Sequence, residues 1–415
     1  MPPLQDIAPF HEIVGADCMR SAEVSEVVRG VTPRLVVEPA NAAELAAVLR
    51  LANDNGLAVV PTGGRTKLEW GNPPARADVL LSTKRLDQVV EHARSDLTVT
   101  VEAGCTIRAL QEALRQHRQR VAIDPLWPER ATVGGVLSAN DTGALRLRFG
   151  GLRDLIIGVT LALPDGTLAS SGGKVVKNVA GYDLQKLATG ALGTLGVITR
   201  AIFRVHPLPL ETATLSSAVG DLASVQRLLN ALMDSKLVPS ALQGRVPAGG
   251  PPRIDICFEG NAAGIAAQAD ELGRLARPAS FLPASSTVWN ARQELWASDP
   301  GDPIVKLSVL PVGIARTIET VQDLARAIGF EFHSVFQATG LGWIRLHSDR
   351  ASWPDVFEQL RPTVERDAGS LVILRGAESC ERWGGIGDAL RIMKAVKAQF
   401  DPRQTLNPGR FVGGI

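Results

Sequence analysis

The sequence predicts an α+β protein of more than one domain, and three observations carry that prediction. A chain of 415 residues is long for a single core and fits two or three domains. Near its N-terminal end, an apolar run, a helical repeat and a second apolar run follow within about thirty residues, the length of a β-α-β crossover. Beyond Pro207 and Pro209 the texture changes to helices alternating with separate strands, the pattern of helices laid on one face of a sheet.

Each element follows from its local spacing. Arg34 to Glu38 (RLVVE) reads as a short buried strand. Asn41 is placed to cap the next helix with Glu44 three residues on, and Leu45, Val48, Leu49 and Ala52 repeat at helical spacing until Gly56. Leu57 to Val60 supplies the second strand of the unit. Ala77 to Ser82, Gln88 to His92 and Leu97 to Val101 are strand-like, and Thr106 then caps a helix whose buried stripe is Ile107, Leu110 and Leu114. Ala131 to Asn140 is rich in glycine and small residues and reads as a loop at a strand end or a turn. Leu155 to Leu163 runs as a strand into Pro-Asp-Gly, followed by a helix from Asp183 to Ala188, the glycine run GALGTLG and the strand Val197 to Val205. In the second half, helices are expected over Leu222 to Met233, Ala262 to Leu275, Ile314 to Ile328 and Trp353 to Arg366. Strands are expected over Arg253 to Phe258, Ile304 to Val309, Gly342 to Leu346 and Ser370 to Leu374, with PAGGPPR (Pro247 to Arg253) as a linker. No internal repeat is evident.

Composition excludes several function classes. A net charge of +1 argues against nucleic acid or an anionic membrane as the main partner, since either favours a basic excess. Aromatic residues make up 5%, too few for base-stacking platforms. Charges or prolines break every apolar run well before the roughly 18 residues of a spanning helix. The N-terminus, MPPLQDIAPFHEI, lacks the basic-then-apolar order of a signal peptide, so a cytoplasmic protein is expected. Cys18, Cys105, Cys257 and Cys380 lie far apart and form no CxxC pair, which fits reduced structural thiols and neither a disulfide frame nor an iron–sulfur cluster.

Two glycine pairs carry the candidate chemistry. In VVPTGGRTKLEWGNPP (Val59 to Pro74), Gly63 and Gly64 follow a strand, but two prolines downstream forbid the long helix that a dinucleotide fingerprint requires. The glycine spacing is not that of a Walker loop, and GALGTLG leads into a strand rather than a helix. What remains is a phosphate nest of backbone N–H groups with Thr62 and Thr66 hydroxyls as donors and Arg65 or Lys67 as charge; a glycine turn that only lets the strand exit is the alternative. The second pair, in TVGGVLSANDTG (Thr132 to Gly143), again sits among hydroxyl and amide side chains, and two such loops could clasp the two phosphates of one dinucleotide.

The motifs PTGGRTKLEWG, TVTVEAGCTIRALQEAL, PERATVGGVLSANDTG, FGGLRDLIIGVTLALPDGTL and KVVKNVAGYDLQKLATGALGTLGVIT, in that order, resemble the FAD-binding domain of the p-cresol methylhydroxylase (PCMH) and vanillyl-alcohol oxidase superfamily. The ending MKAVKAQFDPRQTLNPGRF resembles the C-terminal strip that returns to the flavin in that superfamily. Within it the chain is most similar to the FAD-binding accessory subunits of bacterial glycolate oxidase complexes. The resemblance covers about residues 30 to 207 and the tail strongly, and the region between them weakly. It implies a PCMH-type FAD-binding domain over 1–207, with subdomains of about 30–85 and 86–207. An α+β, ferredoxin-like cap would follow over 208–392, and a tail over 393–415.

The resemblance also implies roles. Pro61, Thr62, Gly63, Gly64, Arg65, Thr66 and Lys67 would wrap the FAD pyrophosphate, and Thr132, Gly135, Ser138 and Asn140 would line its pyrophosphate and ribityl side. Ile198 would pack on the adenine half, and Asn407 would approach the flavin from the tail. Covalent members carry a histidine late in the first loop where this chain has Arg65, so FAD is expected to be noncovalent. Arg292 and Lys306 resemble the residues that clamp substrate carboxylate in related D-2-hydroxy-acid dehydrogenases; the bland reading is two basic residues on a solvated face. Those relatives also carry a histidine-containing metal segment. Here the corresponding stretch is ATGLGWIR, with Ala338 and Arg345 in the histidine positions, and LRGAESCERW downstream has no histidine. His333 and His347 read as surface or satisfied side chains, and no metal site is expected. Leu192 stands where catalytic relatives commonly have glutamate.

Three functions follow. The first is an FAD subunit contributing to oxidation of glycolate to glyoxylate, beside a larger catalytic FAD subunit and an iron–sulfur subunit, in the cytoplasm or at the inner-membrane periphery through that complex. The second is a self-sufficient FAD-dependent D-2-hydroxy-acid dehydrogenase. The third is a non-catalytic assembly subunit.

Overall fold

The computed structural model describes residues 8–174, 181–349, 351–366 and 368–415. Positions 175–180, inside the motif KVVKNVAGYDLQK, lie outside the described residues, as do the first seven of the chain. The chain divides into two compact units: Met1–Thr142, Gly151–Leu208 and Ile386–Ile415 form the first, and Gly143–Gly150 with Pro209–Gly385 form the second.

In the first unit, strands β1 (Met19–Ser21), β2 (Leu35–Val37), β3 (Val59–Thr62) and β4 (Val79–Ser82) make a sheet in the order β1-β2-β4-β3. Strand β4 is parallel to both β2 and β3, so the helix Ala42–Asp54 carries the chain across it. That helix starts where expected: Asn41 Oδ1 accepts from the Glu44 N–H at 2.9 Å, and the Glu44 carboxylate reaches back to the Ala40 N–H at 2.7 Å. Its stripe of Leu45, Val48, Leu49 and Ala52 is buried against Leu35, Val37, Val59, Val79 and Leu81, and each large aliphatic chain contributes about 1.5–3 kcal/mol.

A second sheet follows, from β5 (Val89–Ala93), β6 (Thr98–Glu102), β8 (Ile156–Ala162), β9 (Leu168–Gly172) and β10 (Val197–Arg204), antiparallel in the order β5-β6-β10-β8-β9. A short ribbon pairs β7 (Gln119–Arg120) with β11 (His206–Pro207). Thr106 caps the helix Ile107–Arg115 as its spacing predicts.

One expectation is corrected here. The glycine-rich segment after Ala131 is not a loop or turn but a short helix, Val133–Ala139, capped by Thr132 and ended by Asn140 at φ 47°. Glycine is poor helix material, but a side chain on Gly134 would come within 2.9 Å of Ala103 Cβ, so close packing selects the residue. The cap at each end offsets its weak propensity.

The second unit is an eight-stranded sheet of β12 (Glu211–Ala218), β13 (Ala241–Val246), β14 (Arg253–Gly260), β15 (Leu282–Pro283), β16 (Ile304–Ser308), β17 (Glu331–Gln337), β18 (Leu341–His347) and β19 (Ser370–Arg375). The order is β15-β12-β14-β13-β17-β18-β16-β19. Read with its helices Leu222–Asp234, Ala262–Leu275, Ile314–Ile328 and Trp353–Glu365, this is a β-α-β-β-α-β motif used twice, the two halves joined through β13 and β17. The sequence shows no such repeat, because the halves share topology and not residues. PAGGPPR is a connection within this layer: it joins the antiparallel strands β13 and β14 of one hairpin.

Alternation assigns the faces of this sheet. Leu242 and Val246, Ile254, Ile256 and Phe258, Val305 and Leu307, Ile344 and Leu346 pack under the four helices. Their neighbours along the strands, including Gln243, Arg245, Arg253, Asp255, Lys306, His333, Trp343 and Arg345, therefore belong to the opposite face.

Candidate functional site

A cavity in the first unit is lined by Pro61 through Leu68, Thr132, Gly135, Ser138, Ala139, Leu192, Asn407 and Arg410. Three separate segments meet there. The loop after β3 lies so close to the second glycine segment that a Cβ on Gly63 would stand 2.1 Å from Thr132 Oγ1, and one on Gly64 1.7 Å from the Arg130 carbonyl oxygen. The tail enters beside β3, where the Asn407 N–H donates to the Val59 carbonyl at 2.9 Å. The Asn407 amide Nδ2 then donates to the Leu192 carbonyl at 2.5 Å, while the Leu192 N–H donates to the Ser138 carbonyl at 2.9 Å. Arg65, Leu192 and Asn407 are all held in the left-handed region, at φ 58°, 50° and 45°. Such strain persists only where the surroundings over-determine it, and it collects at ligand sites.

Of the sequence candidates, Ile198 lines an adjoining cavity that shares Pro61, Thr62, Gly135, Ser138 and Leu192. Asn140 lines neither cavity. It terminates the short helix and packs near Gly190.

Arg65 and Lys67, the residues expected to supply charge to the nest, each lie beside a carboxylate. Arg65 Nη1 is 2.6 Å from Glu26 Oε1, and that carboxylate also accepts from Arg20 at 2.6 Å. The hydrogen bond from Arg20, ahead of those from the Glu23 N–H and Arg65, draws the Glu26 pKa down to about 2 against the opposing effect of burial. Lys67 Nζ is 3.1 Å from Asp141 Oδ2, between the rings of Trp70 and Trp127 at 5.7 and 5.4 Å. Both loop cations thus already have carboxylate partners.

Arg410, which the sequence reading missed, is a cation in this cavity without a carboxylate partner among the described residues. It is 3% exposed, and its Nη2 donates to the carbonyls of Leu68 and Trp70, each at 2.6 Å. No carboxylate pairs with it among the described residues, its Nε has no partner, and burial, with Arg29 adding to it, lowers its pKa to about 10. A guanidinium sealed away without a counter-ion is costly, so the pocket is built for an anion. Thr62 Oγ1 and Asn407 Oδ1 are buried beside it without partners. Among the described residues, the N–H groups of Gly63, Gly64, Arg65 and Thr66 also donate to no backbone carbonyl. Unpartnered hydroxyl, guanidinium and backbone donors around a cradle that a Cβ would fill match the phosphates of a dinucleotide.

The sequence pattern of the family described as FAD binding domain matches residues 33–172, which include both glycine segments. Residues 33–172 thus carry a PCMH-type FAD-binding domain. Among its relatives, the glycolate oxidase subunit GlcD of Bacillus subtilis is 30% identical over 211 residues, or 51% of this chain and 45% of that protein. The matched part is thus less than half the length of that relative. The D-lactate dehydrogenase of Archaeoglobus fulgidus is 26% identical over 424 residues, covering 91% of each chain. The fold is shared with the 4-ethylphenol oxidase of Gulosibacter chungangensis, at TM-score 0.74 and 17% identity over 97% of this chain and 95% of that one. FAD is therefore the dinucleotide that the first unit of this flavoprotein receives.

In the second unit, Arg292 and Lys306 meet around one side chain. The Arg292 guanidinium lies 4.8 Å from the centre of the Trp343 ring, and Lys306 is the cross-strand partner of Trp343. Arg292 and Trp343 are 6% and 1% exposed. The indole N–H of Trp343 and the amide oxygen of buried Gln337, two further residues not foreseen, have no partner among the described residues. ATGLGWIR forms the turn between β17 and β18 and then β18 itself. His333 Nδ1 lies 2.8 Å from Arg345 Nη2, and burial, then Arg345, lowers its pKa. His347 Nδ1 lies 2.7 Å from Asp302 Oδ1, whose hydrogen bond raises its pKa. No group of three or more His, Cys, Asp or Glu arranged to hold a metal occurs among the described residues. No helix is long and apolar enough to cross a membrane among those residues.

Proposed function

We propose that the chain is an FAD-dependent oxidoreductase acting on a 2-hydroxy acid, and that it serves as the FAD-binding subunit of a glycolate-oxidising complex. A larger catalytic FAD subunit and an iron–sulfur subunit would be its partners. The observation that carries the cofactor assignment is Arg410, the buried cation without a carboxylate in a pocket of unpartnered donors. In this reading Arg410, Thr62 and the amides of Gly63 to Thr66 hold the pyrophosphate, with Thr132, Gly135, Ser138 and Asn140 along the chain toward the ribityl group. Ile198 packs on the adenine half and Asn407 meets the ring system. Arg65 is committed to Glu26 and is no nucleophile, so the cofactor is held without a covalent bond.

When bound, FAD supplies the acceptor for a hydride from the substrate carbon that bears the hydroxyl. The chain's own contribution to substrate is a clamp. Arg292 and Lys306, set around Trp343, fit a carboxylate, and the unpartnered Trp343 N–H and Gln337 oxygen fit its polar neighbours. The departures Ala338 and Arg345 from the histidine pattern support a subunit that depends on a partner for proton removal. A second reading, a self-sufficient D-2-hydroxy-acid dehydrogenase, is supported by the alignment with the Archaeoglobus protein along 91% of both chains.

Anaerobic addition of glycolate or D-lactate to the isolated FAD-loaded chain separates the two. The proposal expects bound flavin to keep its oxidised spectrum until the partner subunits are added. Prompt bleaching in the isolated chain would establish the second reading, and failure to acquire any flavin spectrum would leave only an assembly role.

A further inference from the structure

A second concentration of positive charge lies in the other unit, in a cavity of about 280 Å³ lined by Arg245, Arg253, His333 and Arg345, with Glu294 at its edge. The sheet register assembles it. Arg245 faces Arg253 across β13 and β14, Arg345 faces His333 across β18 and β17, and Val335 links the two pairs as the cross-strand neighbour of Arg245. All of these residues project from the face opposite the helices.

The three arginines are not equivalent. Arg245 is spent on Asp255, which is fully buried and takes two bonds from it at 2.6 and 2.8 Å. Arg345 Nη2 is held by the ring nitrogen of His333 at 2.8 Å, which orients the guanidinium without neutralising it. Its Nε is buried and donates to nothing. The Arg253 side chain forms no hydrogen bond or ion pair among the described residues, and Glu294 comes within ion-pair distance of neither arginine. Two guanidinium groups thus share a concave, partly desolvated space with no carboxylate at ion-pair distance from either among the described residues. That arrangement is unfavourable until an anion enters, and a planar fork of N–H donors matches the oxygens of a carboxylate or phosphate.

We propose that this cavity is an oxyanion site, with Arg345 and Arg253 as its ligands and His333 as the residue that positions Arg345. It rests on the geometry of the second unit alone, so it stands or falls separately from the assignment of FAD and glycolate. The anion has two chemical sources. Arg345 lies two residues along β18 from Trp343 on the same face, roughly 7 Å away, so the site could take a second acid group of a substrate whose first is clamped by Arg292 and Lys306. The other source is a free oxyanion such as phosphate.

The test uses the full chain saturated with FAD, so that the nucleotide pocket is filled. Calorimetric titration with inorganic phosphate, a 2-hydroxy monoacid and a 2-hydroxy diacid is compared across wild type, R345M, R345K and R253M. Saturable binding of phosphate or diacid that weakens about tenfold or more in R345M and R253M, and is partly restored in R345K, is the expected result. Loss confined to the diacid, with the monoacid unchanged, assigns the site to substrate; loss for phosphate while monoacid still binds alongside assigns it to a free anion. R253M, whose arginine side chain makes no hydrogen bond or ion pair among the described residues, keeps the test valid if R345M is unstable. Absence of saturable binding of either ligand to wild type, or equal binding by wild type and both methionine variants, would overturn the proposal.

Discussion

Lys397 Nζ lies 2.5 Å from Asp401 Oδ2, with both side chains sealed from solvent. The ammonium also donates to the carbonyls of Thr194, at 2.8 Å, and Leu406, at 2.9 Å. Asp401 in turn accepts the N–H groups of Thr405 and Leu406. One buried pair therefore fastens the C-terminal strip to the glycine run 190–196 and sets Asn407 at the cofactor pocket. K397M strands a buried carboxylate and is expected to destabilise the protein by about 3–5 kcal/mol. Its thermal unfolding should fall well below wild type and its FAD affinity should drop, whereas K397M/D401L should regain part of the stability. An unchanged melting temperature in K397M would show that the pair does not hold the tail.

The two loop glycines should differ in their tolerance of a methyl group. At Gly63 the obstacle is the Thr132 hydroxyl, a side-chain end, while at Gly64 it is the Arg130 backbone carbonyl. G64A is expected to lose FAD binding outright and G63A to bind weakly, with G63A/T132S no better than G63A because the hydroxyl remains. Equal FAD affinity of G64A and wild type in a fluorescence titration would contradict the close approach of the two segments.

Glu26 carries a pH signature. Its folded pKa, about 2, is below the ordinary 4.5, so its contribution is fully present above about 4.5 and is lost as the pH falls toward 2. At neutral pH that contribution is on the order of 3 kcal/mol. E26Q should therefore melt lower than wild type at pH 7, and the gap should narrow on acidification. A gap that stays constant down to pH 3 would count against the Arg20–Glu26–Arg65 triad.

Arg410 should distinguish itself from the loop cations. R410M is expected to weaken both FAD and ADP by about ten- to hundredfold, since a hydrogen bond to a charged group is worth about 1.5–3 kcal/mol. R410K should recover part of that. Loss of FAD binding with ADP unchanged would move Arg410 away from the pyrophosphate.

What the sequence disclosed follows the range of the forces involved. The Asn41 and Thr106 caps and the stripe Leu45, Val48, Leu49, Ala52 were legible because each depends on residues within a turn or two. The helix Val133–Ala139 was not, because Gly134 answers to Ala103 rather than to local propensity. Gly63 and Gly64 were readable as a place where backbone must come close. The ion pairing of Arg65 and Lys67 was not, since their carboxylates, Glu26 and Asp141, sit 39 and 74 positions away in the chain. Arg410 touches Leu68 and Trp70 from more than 300 residues downstream, and Lys306 meets Trp343 only through the pairing of β16 with β18. The doubled β-α-β-β-α-β motif left no trace in residue identities.

The most direct measurement is a titration of the purified chain with FAD, followed by precipitation with acid. The account predicts saturation at one FAD per chain and recovery of all the flavin in the soluble fraction. A chain that acquires no flavin, or flavin that stays with the precipitated protein, would contradict it.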